Sequence, residues 1–435
     1  GSLFTAENPE NDNIWYLAEQ NGVRYYLPVA LKEVIVTNTV NAVADYAFAN
    51  CVNIKKVTLA TPSSDKPYTE IIGDFAFAGT GISSGTEVQQ IEVNLANVRT
   101  IGNYAFQNST ITSVAFDSLS KLGIGAFKGS NVAAADFSVA PLDYVAAHSF
   151  EGCKNLTSVN LGVVKTVARY AFKDSALSSV TNADGLQKVD AYAFNGSALP
   201  SVTVFGNVED IEEYAFHNTP YFNGLSNTVV YVGKVLYYDK NSTVSISAKT
   251  GVVSVAPYAF ENSALITVDL SGFTDLIFIE RYAFANNAVT STVKLPESLY
   301  MIKESAFESS AVTTIDLSAC KNLARIYQNA FKDCTNLTSV TFATFASSAE
   351  FTTKLAILDR AFSGCTSLST IKFPENLSTI GSYAFENCTN LSAITFISNE
   401  MFQKEEGEED PKFETTGLIT TIGEGAFMNC SSLTA

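Results

Sequence analysis

The sequence predicts an α/β repeat solenoid, because three features recur in one register along most of the chain. The first feature is a phenylalanine preceded by alanine, or once by serine, at intervals that are mostly 21 to 24 residues. An aliphatic residue stands five positions before each of these 15 phenylalanines, and tyrosine or phenylalanine stands two positions before nine of them. The phenylalanines are Phe48, Phe77, Phe106, Phe127, Phe150, Phe172, Phe194, Phe216, Phe260, Phe284, Phe307, Phe331, Phe362, Phe385 and Phe427. Repeats of this length bury their apolar residues by stacking on one another.

Each repeat has two halves with different periodicities. The half that contains the phenylalanine has apolar spacings of three and four, which predict a short helical turn with one buried face. The second half ends in Val-x-Phe, as at Val340 and Phe342, and is rich in threonine and valine. Alternation of this kind predicts a short strand. We therefore expect one helical turn and one strand in each coil.

The repeat closely resembles a known family. Residues 380–391 read Ile-Gly-Ser-Tyr-Ala-Phe-Glu-Asn-Cys-Thr-Asn-Leu, which is similar to the BspA-like leucine-rich repeat of bacterial surface proteins. The resemblance runs from about residue 35 to the C-terminus. It implies a right-handed leucine-rich-repeat superhelix with a parallel β-sheet on the concave face and short helical turns on the convex face. It also implies export to the cell surface and adhesion to host proteins.

Two segments interrupt the repeat and set the predicted domain organisation. Asn21-Gly22, a hairpin turn signal, separates two apolar runs, so residues 1–34 are predicted to form an N-terminal β-hairpin cap that buries Trp15. Residues 35–435 are predicted to form a solenoid of about 16 coils. Within it, a hairpin turning at Gly233-Lys234 replaces the helical half of one coil at about 220–250. The sequence stops partway through a repeat, so either the natural chain continues past Ala435 or its last coil is frayed.

Charge and hydropathy exclude some partners. A formal net charge of −17 repels phosphate backbones, so no nucleic-acid ligand is expected. Since no apolar run approaches the roughly 20 residues of a membrane-spanning helix, we expect no membrane insertion. The first residues lack the pattern of a secretory leader, and an extracellular or cell-surface location therefore requires a leader removed before Gly1.

The cysteines follow the repeat. Six of the seven stand three positions after a phenylalanine, where serine is a frequent alternative: Cys51, Cys153, Cys334, Cys365, Cys388 and Cys430. This position predicts a buried column of free thiols. A disulfide between neighbouring members is the alternative, but parallel Cβ vectors disfavour its geometry. Cys320 lies outside the column and is expected to be structural. No metal site or cofactor is expected, because Cys-x-x-Cys and paired histidines are missing.

No catalytic residues emerge from the motifs, and we expect a protein that is not an enzyme. His148 fills the tyrosine position of one repeat and His217 a variable position, so both are interpreted as repeat variants without a nucleophile partner. The sequence does not exclude paired carboxylates for glycoside hydrolysis, but nothing in it points to them. The acidic segment 405–410 is interpreted as a solvated loop, with cation binding as the alternative.

The middle residue of each Val-x-Phe strand points away from the core. These positions hold small or polar residues, including Thr58 and Ala115, and never an aromatic one. The residues predicted to contact a ligand are Asn160, Thr203, Asp269, Asp316, Thr341, Lys372 and Thr395. Insertions at about 60–70, 81–90, 343–354 and 397–416 follow the strand and are expected to form one rim.

The sequence thus favours a secreted or cell-surface scaffold for protein binding or adhesion. Its expected ligand is a protein or peptide, such as a host or matrix protein, held by the concave sheet and the insertion rim. A passive structural spacer or surface-layer component is the first alternative. A glycan-capture accessory module is the second, and it requires exposed aromatic residues clustered on a rim.

Overall fold

A computed structural model describes residues 15–20, 23–28, 31–36, 40–62, 68–81, 90–225, 229–239, 246–265, 267–288, 292–345, 353–396 and 419–433. Only the backbone is described for residues 15–20 and 23–28, for Ser113 and for Asp239. The chain divides into two compact units, Gly1–Leu225 and Ser226–Ala435, each described by itself. Within the described residues, each unit is a parallel β-solenoid with almost no helix, and the turns of the two units together number about 14.

The first unit begins with an antiparallel hairpin and continues as parallel strands. Its strands are β1 (Trp15–Gln20), β2 (Val23–Pro28), β3 (Glu33–Ile35), β4 (Ala42–Val43), β5 (Lys56–Thr58), β6 (Ile71–Ile72), β7 (Glu92–Val93), β8 (Thr100–Ile101), β9 (Ser113–Ala115), β10 (Lys121–Leu122), β11 (Ala134–Asp136), β12 (Tyr144–Val145), β13 (Ser158–Asn160), β14 (Thr166–Val167), β15 (Ser179–Thr181), β16 (Lys188–Val189) and β17 (Asp210–Ile211). A 3-10 helix at Thr203–Phe205 and a single-turn helix α1 at Pro220–Asn223 complete it.

The second unit has the same organisation. Its strands are β18 (Val229–Val232), β19 (Val235–Asp239), β20 (Ser254–Val255), β21 (Phe278–Ile279), β22 (Thr292–Lys294), β23 (Met301–Ile302), β24 (Thr314–Leu317), β25 (Arg325–Ile326), β26 (Ser339–Phe342), β27 (Leu355–Ile357), β28 (Thr370–Phe373), β29 (Leu377–Ile380), β30 (Ala393–Phe396) and β31 (Thr421–Ile422). β18 and β19 are antiparallel and flank Gly233-Lys234, at the residues where the sequence predicts a hairpin. β19 then pairs in parallel with β20.

The Val-x-Phe segments pair in parallel as predicted, and we name their strands ladder A. In the first unit the orders are β3-β5-β7 and β9-β11-β13-β15, and in the second they are β22-β24-β26 and β28-β30. The pairing is in register: Ala135 lies opposite Val159, and Val159 opposite Val180. The buried first residues of the Val-x-Phe pattern, such as these three, are therefore stacked in a column within each unit.

A second set of strands, ladder B, was not predicted. Apart from β19, its members are short strands that end at the aliphatic residue five positions before the phenylalanine. In the first unit they pair as β4-β6-β8-β10 and β12-β14-β16-β17, and in the second as β19-β20-β21-β23-β25-β27-β29-β31. Most of the described coils thus contribute to two parallel ladders rather than to one ladder and one helical turn.

The prediction of helical turns on the convex face was wrong. The residues two before and two after each phenylalanine have positive φ, as at Tyr170 (61°) and Asp174 (54°). A right-handed helix requires φ near −63° at every position, so two left-handed residues four apart exclude it. The segment is instead a series of tight turns.

Hydrogen bonds in these turns alternate between two directions. Ala171 N–H donates back to Ala168 O at 3.1 Å, within its own coil, whereas Phe172 N–H donates to Ala193 O of the next coil at 2.8 Å. The same alternation continues to Asp174 N–H, which donates to Asn195 O at 2.8 Å. Because every second donor bonds to the following coil, the turns satisfy the buried backbone and join the stack.

The phenylalanines of the repeat form one column in each unit. Phe150 and Phe172 stack with ring centroids 5.4 Å apart, and Phe172 and Phe194 with centroids 5.3 Å apart. In the second unit Phe284 and Phe307 are 4.9 Å apart. These rings are fully buried. Stacking contributes about 0.5–1.5 kcal/mol per pair beyond the free energy gained by burying their surface.

The left-handed position after each phenylalanine gives a testable prediction. Asn108 has φ of 52°, and replacing it with alanine should lower the free energy of unfolding by about 1 kcal/mol, because a Cβ without a local hydrogen-bonding group disfavours this conformation. Asn108→Gly should retain the stability. Urea unfolding of both variants measures the difference, and an equal loss in both would contradict the assignment.

Candidate binding surface

The outward positions of ladder A form a row in each unit. In the first unit the pairing places Ala115 beside Asp136, Asp136 beside Asn160, and Asn160 beside Thr181. Neighbouring positions are about 4.8 Å apart along the ladder. The predicted ligand residue Asn160 therefore lies among small polar neighbours that could contact one extended partner.

The row in the second unit carries charges of alternating sign. Asp269 pairs with Lys294, Lys294 with Asp316, and Asp316 with Thr341. Lys294 Nζ lies 3.9 Å from Asp269 Oδ2, with about half of both side chains exposed. Hydrogen bonds from Ser271 lower the pKa of Asp269, Lys294 lowers it further, and burial opposes them. This carboxylate is consequently charged at neutral pH.

Several of these carboxylates also form the turn that ends their strand. Asp269 Oδ1 accepts hydrogen bonds from Ser271 N–H at 3.0 Å and from the Ser271 hydroxyl at 2.5 Å. Asp316 Oδ1 accepts equivalent bonds from Ser318 N–H at 3.0 Å and from its hydroxyl at 2.6 Å. The local Asp-x-Ser sequence thus builds an Asx turn. The turn fixes one oxygen of each carboxylate, and the second oxygen of Asp269 faces Lys294.

The remaining predicted ligand residues do not all join a row. Lys372 pairs with Thr395 on β28 and β30, and both side chains are exposed. Thr203, by contrast, lies in the 3-10 helix and not in a strand, so its placement on the sheet was wrong. Its coil has one extra residue before Phe205, which takes the buried position that Val204 would fill.

The insertion rim is only partly visible. Residues 63–67, 82–89, 346–352 and 397–418 lie outside the described residues, and the acidic segment 405–410 is among them. The side chain of Trp15 and the turn at 21–22 are outside them as well. The rim, the cap and the predicted domain boundaries therefore stay predictions.

The column of cysteines is buried, and its thiols have a further role. All seven cysteines are free and buried. Cys153, Cys334 and Cys388 donate their thiol hydrogens to the phenylalanine carbonyl of the preceding coil, with Sγ–O distances of 3.0, 3.0 and 3.2 Å. Cys320 bonds similarly to Pro296 O at 3.3 Å. These side chains act as donors as well as core residues.

Burial makes these thiols weak acids. It raises the pKa of Cys51, Cys320 and Cys334 to about 12 and that of Cys153 to about 11. Because only thiolates react with iodoacetamide, we expect the native protein to resist alkylation at pH 8 and the urea-unfolded chain to react rapidly. Alkylation of Cys153 at similar rates in both states, measured by peptide mass spectrometry, would contradict this assignment.

The histidines lie in repeat positions, as predicted. His148 Nδ1 is 2.6 Å from Glu151 Oε2, and its ring lies 4.9 Å from that of Tyr170. Burial raises the pKa of Glu151, but hydrogen bonds from Lys128 and His148 outweigh it and lower the pKa overall. His217 packs on Phe222 at 3.9 Å between centroids. Both rings thus contribute to the repeat packing.

Half-exposed aromatic rings form a second column at the tyrosine position. Tyr170 and Tyr192 are 5.2 Å apart, and so are Tyr192 and Tyr214. Since each internal ring is covered on both faces by its neighbours, only its edge is presented to solvent. A sugar-binding platform uses a free ring face, so this column offers little support for the glycan-capture alternative.

Among the residues that the structure describes, no group of three or more His, Cys, Asp or Glu side chains could hold a metal ion. No helix in the same set of residues is long and apolar enough to cross a membrane.

The paired parallel ladders and the 21-to-24-residue coil define a leucine-rich-repeat solenoid. Six matches to the BspA type leucine rich repeat region cover residues 24–133, 70–197, 120–223, 165–287, 253–355 and 344–435. The chain therefore belongs to this family, which confirms the resemblance noted in the sequence.

Solved structures of bacterial repeat proteins are similar over most of the chain. A leucine-rich repeat protein from Bacteroides ovatus is 17% identical, with a TM-score of 0.31 and coverage of 98% of this chain and 93% of that one. A leucine rich cell surface protein from Faecalibacterium prausnitzii is 18% identical, with a TM-score of 0.32 and coverage of 91% and 96%. The pneumococcal vaccine antigen PcpA is 18% identical, with a TM-score of 0.36 and coverage of 88% and 99%. None of the curated proteins compared with the chain matches it.

Proposed function

We propose that the protein is a secreted or cell-surface scaffold that binds a macromolecule, most simply a host or matrix protein. Recognition uses the outward row of ladder A, with Asn160 in the first unit and Asp269, Asp316, Thr341, Lys372 and Thr395 in the second. Thr203 adds a contact from its 3-10 helix. The insertions that follow the strands extend the surface on one rim.

The observation that carries the proposal is the row Asp269, Lys294, Asp316 and Thr341. Its alternating charges stand on hydrogen-bonded strands and are partly fixed by Asx turns. Side chains held in this way lose little freedom on binding, which favours recognition of a large ligand. Alternating charges also give specificity for a complementary surface.

Charge reversal within this row tests the proposal. The double variant Asp269→Lys/Asp316→Lys should bind a purified matrix or epithelial surface protein at least tenfold more weakly than the unaltered protein, because two attractive contacts become repulsive. Surface plasmon resonance against a panel of such proteins gives the affinities.

The matched control is Asp184→Lys/Glu297→Lys, which makes the same change in charge at exposed residues outside the outward row of ladder A. It should retain the affinity of the unaltered protein. Equal affinity of all three proteins would remove the row from the binding surface. Absence of any binding partner on the panel would favour the passive spacer.

A further inference from the structure

Ladder B of the first unit is interrupted between β10 and β12, which are not paired with each other. At the other steps the residue after each strand donates its N–H to the preceding coil, as Gly102 does to Ile72 O at 2.8 Å and Ala168 to Val145 O at 2.9 Å. The equivalent bond from Ala146 to Leu122 O, between β10 and β12, is missing. Within residues 90–225, all of which the structure describes, neither group has another hydrogen-bond partner.

The interruption has a cause in the sequence. Four residues separate Phe137 from Leu142, whereas two separate Leu161 from Val164 at the same place in the next coil. The extra residues include Pro141, which has no N–H to donate. Ladder A continues past this point through β9, β11 and β13, and Phe127 stacks on Phe150 at 5.3 Å. The opening is therefore confined to ladder B.

A groove of about 400 Å³ lies at the interruption, lined by Lys121, Ile124, Leu142, Tyr144 and Ala147 among others. This volume is within the range of sites that hold small ligands or short peptide segments. Ile124 and Tyr144 are each 46% exposed, so the groove presents apolar surface to solvent. Unmet backbone hydrogen bonds and apolar surface thus occur together.

Lys121 places a positive charge at the groove. It makes no ion pair with any residue that the structure describes. Lys188, three strands further along ladder B, differs: its Nζ lies 2.8 Å from Asp210, 3.4 Å from Asp190 and 3.6 Å from Glu212. In a protein of net charge −17, an unpaired lysine beside an apolar groove favours a ligand that carries a carboxylate.

We propose that this groove binds a short, extended, acidic peptide segment. The peptide lies along the mouth of the groove, where its amide groups offer an acceptor for Ala146 N–H or a donor for Leu122 C=O. A carboxylate pairs with Lys121, and an apolar side chain covers Ile124 and Tyr144. The site is separate from the ladder A row and goes beyond the proposed function, so either can fail without the other.

A synthetic peptide tests the binding. The probe is a fluorescein-labelled pentapeptide, Val-Asp-Val-Asp-Val, with a C-terminal amide, and fluorescence polarisation measures its affinity. We expect saturable binding that weakens at least tenfold in Lys121→Glu and in Ile124→Ser, and also when asparagine replaces aspartate in the peptide. Lys165→Glu, which reverses another exposed lysine of the first unit outside the groove lining, should leave the affinity unchanged.

Absence of saturable binding to the unaltered protein would overturn the proposal, and so would equal losses in Lys121→Glu and Lys165→Glu. Hydrogen exchange tests the interrupted step independently of those variants. The Ala146 amide should exchange at least tenfold faster than the Ala168 amide in the free protein and become slower when the peptide is bound. Equal protection of the two amides in the free protein would also overturn the proposal.

Discussion

Replacing Phe172 with alanine is expected to lower the free energy of unfolding by about 4 kcal/mol, which is within the range for removing a buried phenylalanine. Phe172 is fully buried, and its ring stacks on those of Phe150 and Phe194. The substitution therefore leaves a cavity and removes two ring contacts. Urea unfolding followed by circular dichroism measures the loss.

The control for this prediction is Tyr170→Ala in the same coil. Tyr170 also packs between two rings, at tilted angles, but is half-exposed, so its removal should cost only about 1 kcal/mol. A loss in Phe172→Ala as small as that in Tyr170→Ala would contradict the buried column.

A charge in the cysteine column should be similarly destabilising. Cys365 is fully buried, and its thiol donates to Phe331 O at 3.2 Å. In Cys365→Asp the carboxylate would be buried without a cation, at a cost of about 3–5 kcal/mol at pH 7. Burial also raises the pKa of the new carboxyl in the folded state. The loss should therefore grow as the pH rises above about 4, where the unfolded chain ionises.

Cys365→Ser is the control for the cysteine column, because serine occupies the same repeat position elsewhere. Ser175, for example, donates its hydroxyl to Phe172 O at 2.7 Å. We expect a loss of no more than about 1 kcal/mol, independent of pH between 4 and 8. If Cys365→Asp were as stable as Cys365→Ser at pH 7, the position would be open to water and the column would not be buried.

The sequence predicts the inward-facing residues well, because burial follows the repeat directly. The phenylalanine column, the cysteine column and the Val-x-Phe strands all lie where their periodicity indicates. The helical turn was mispredicted because a series of tight turns also places apolar residues three and four apart. A signal against the helix was present: asparagine, glycine or aspartate stands two residues after 14 of the 15 phenylalanines, and these residues favour positive φ.

The outward surface was harder to predict, because it depends on local departures from the repeat. One extra residue before Phe205 moves Thr203 out of ladder A, and two extra residues before Leu142 open the groove between β10 and β12. The Asx turns at Asp269 and Asp316 could have been predicted from their Asp-x-Ser sequences. The repeat pattern fixes which residues face the core, but it does not determine which residue types occupy the outward positions that a ligand would contact.

The central claim is that one register builds the repeat stack within each unit. Its most direct test is a nuclear Overhauser measurement, applied to each unit separately, on protein with protonated phenylalanine rings in a deuterated background. Each interior ring should show cross-peaks to the rings one repeat before and one repeat after it, as Phe172 should to Phe150 and Phe194, since the centroids are 5.4 and 5.3 Å apart. Missing cross-peaks between consecutive repeat phenylalanines, or contacts that skip a coil, would contradict the register on which the assigned surfaces depend.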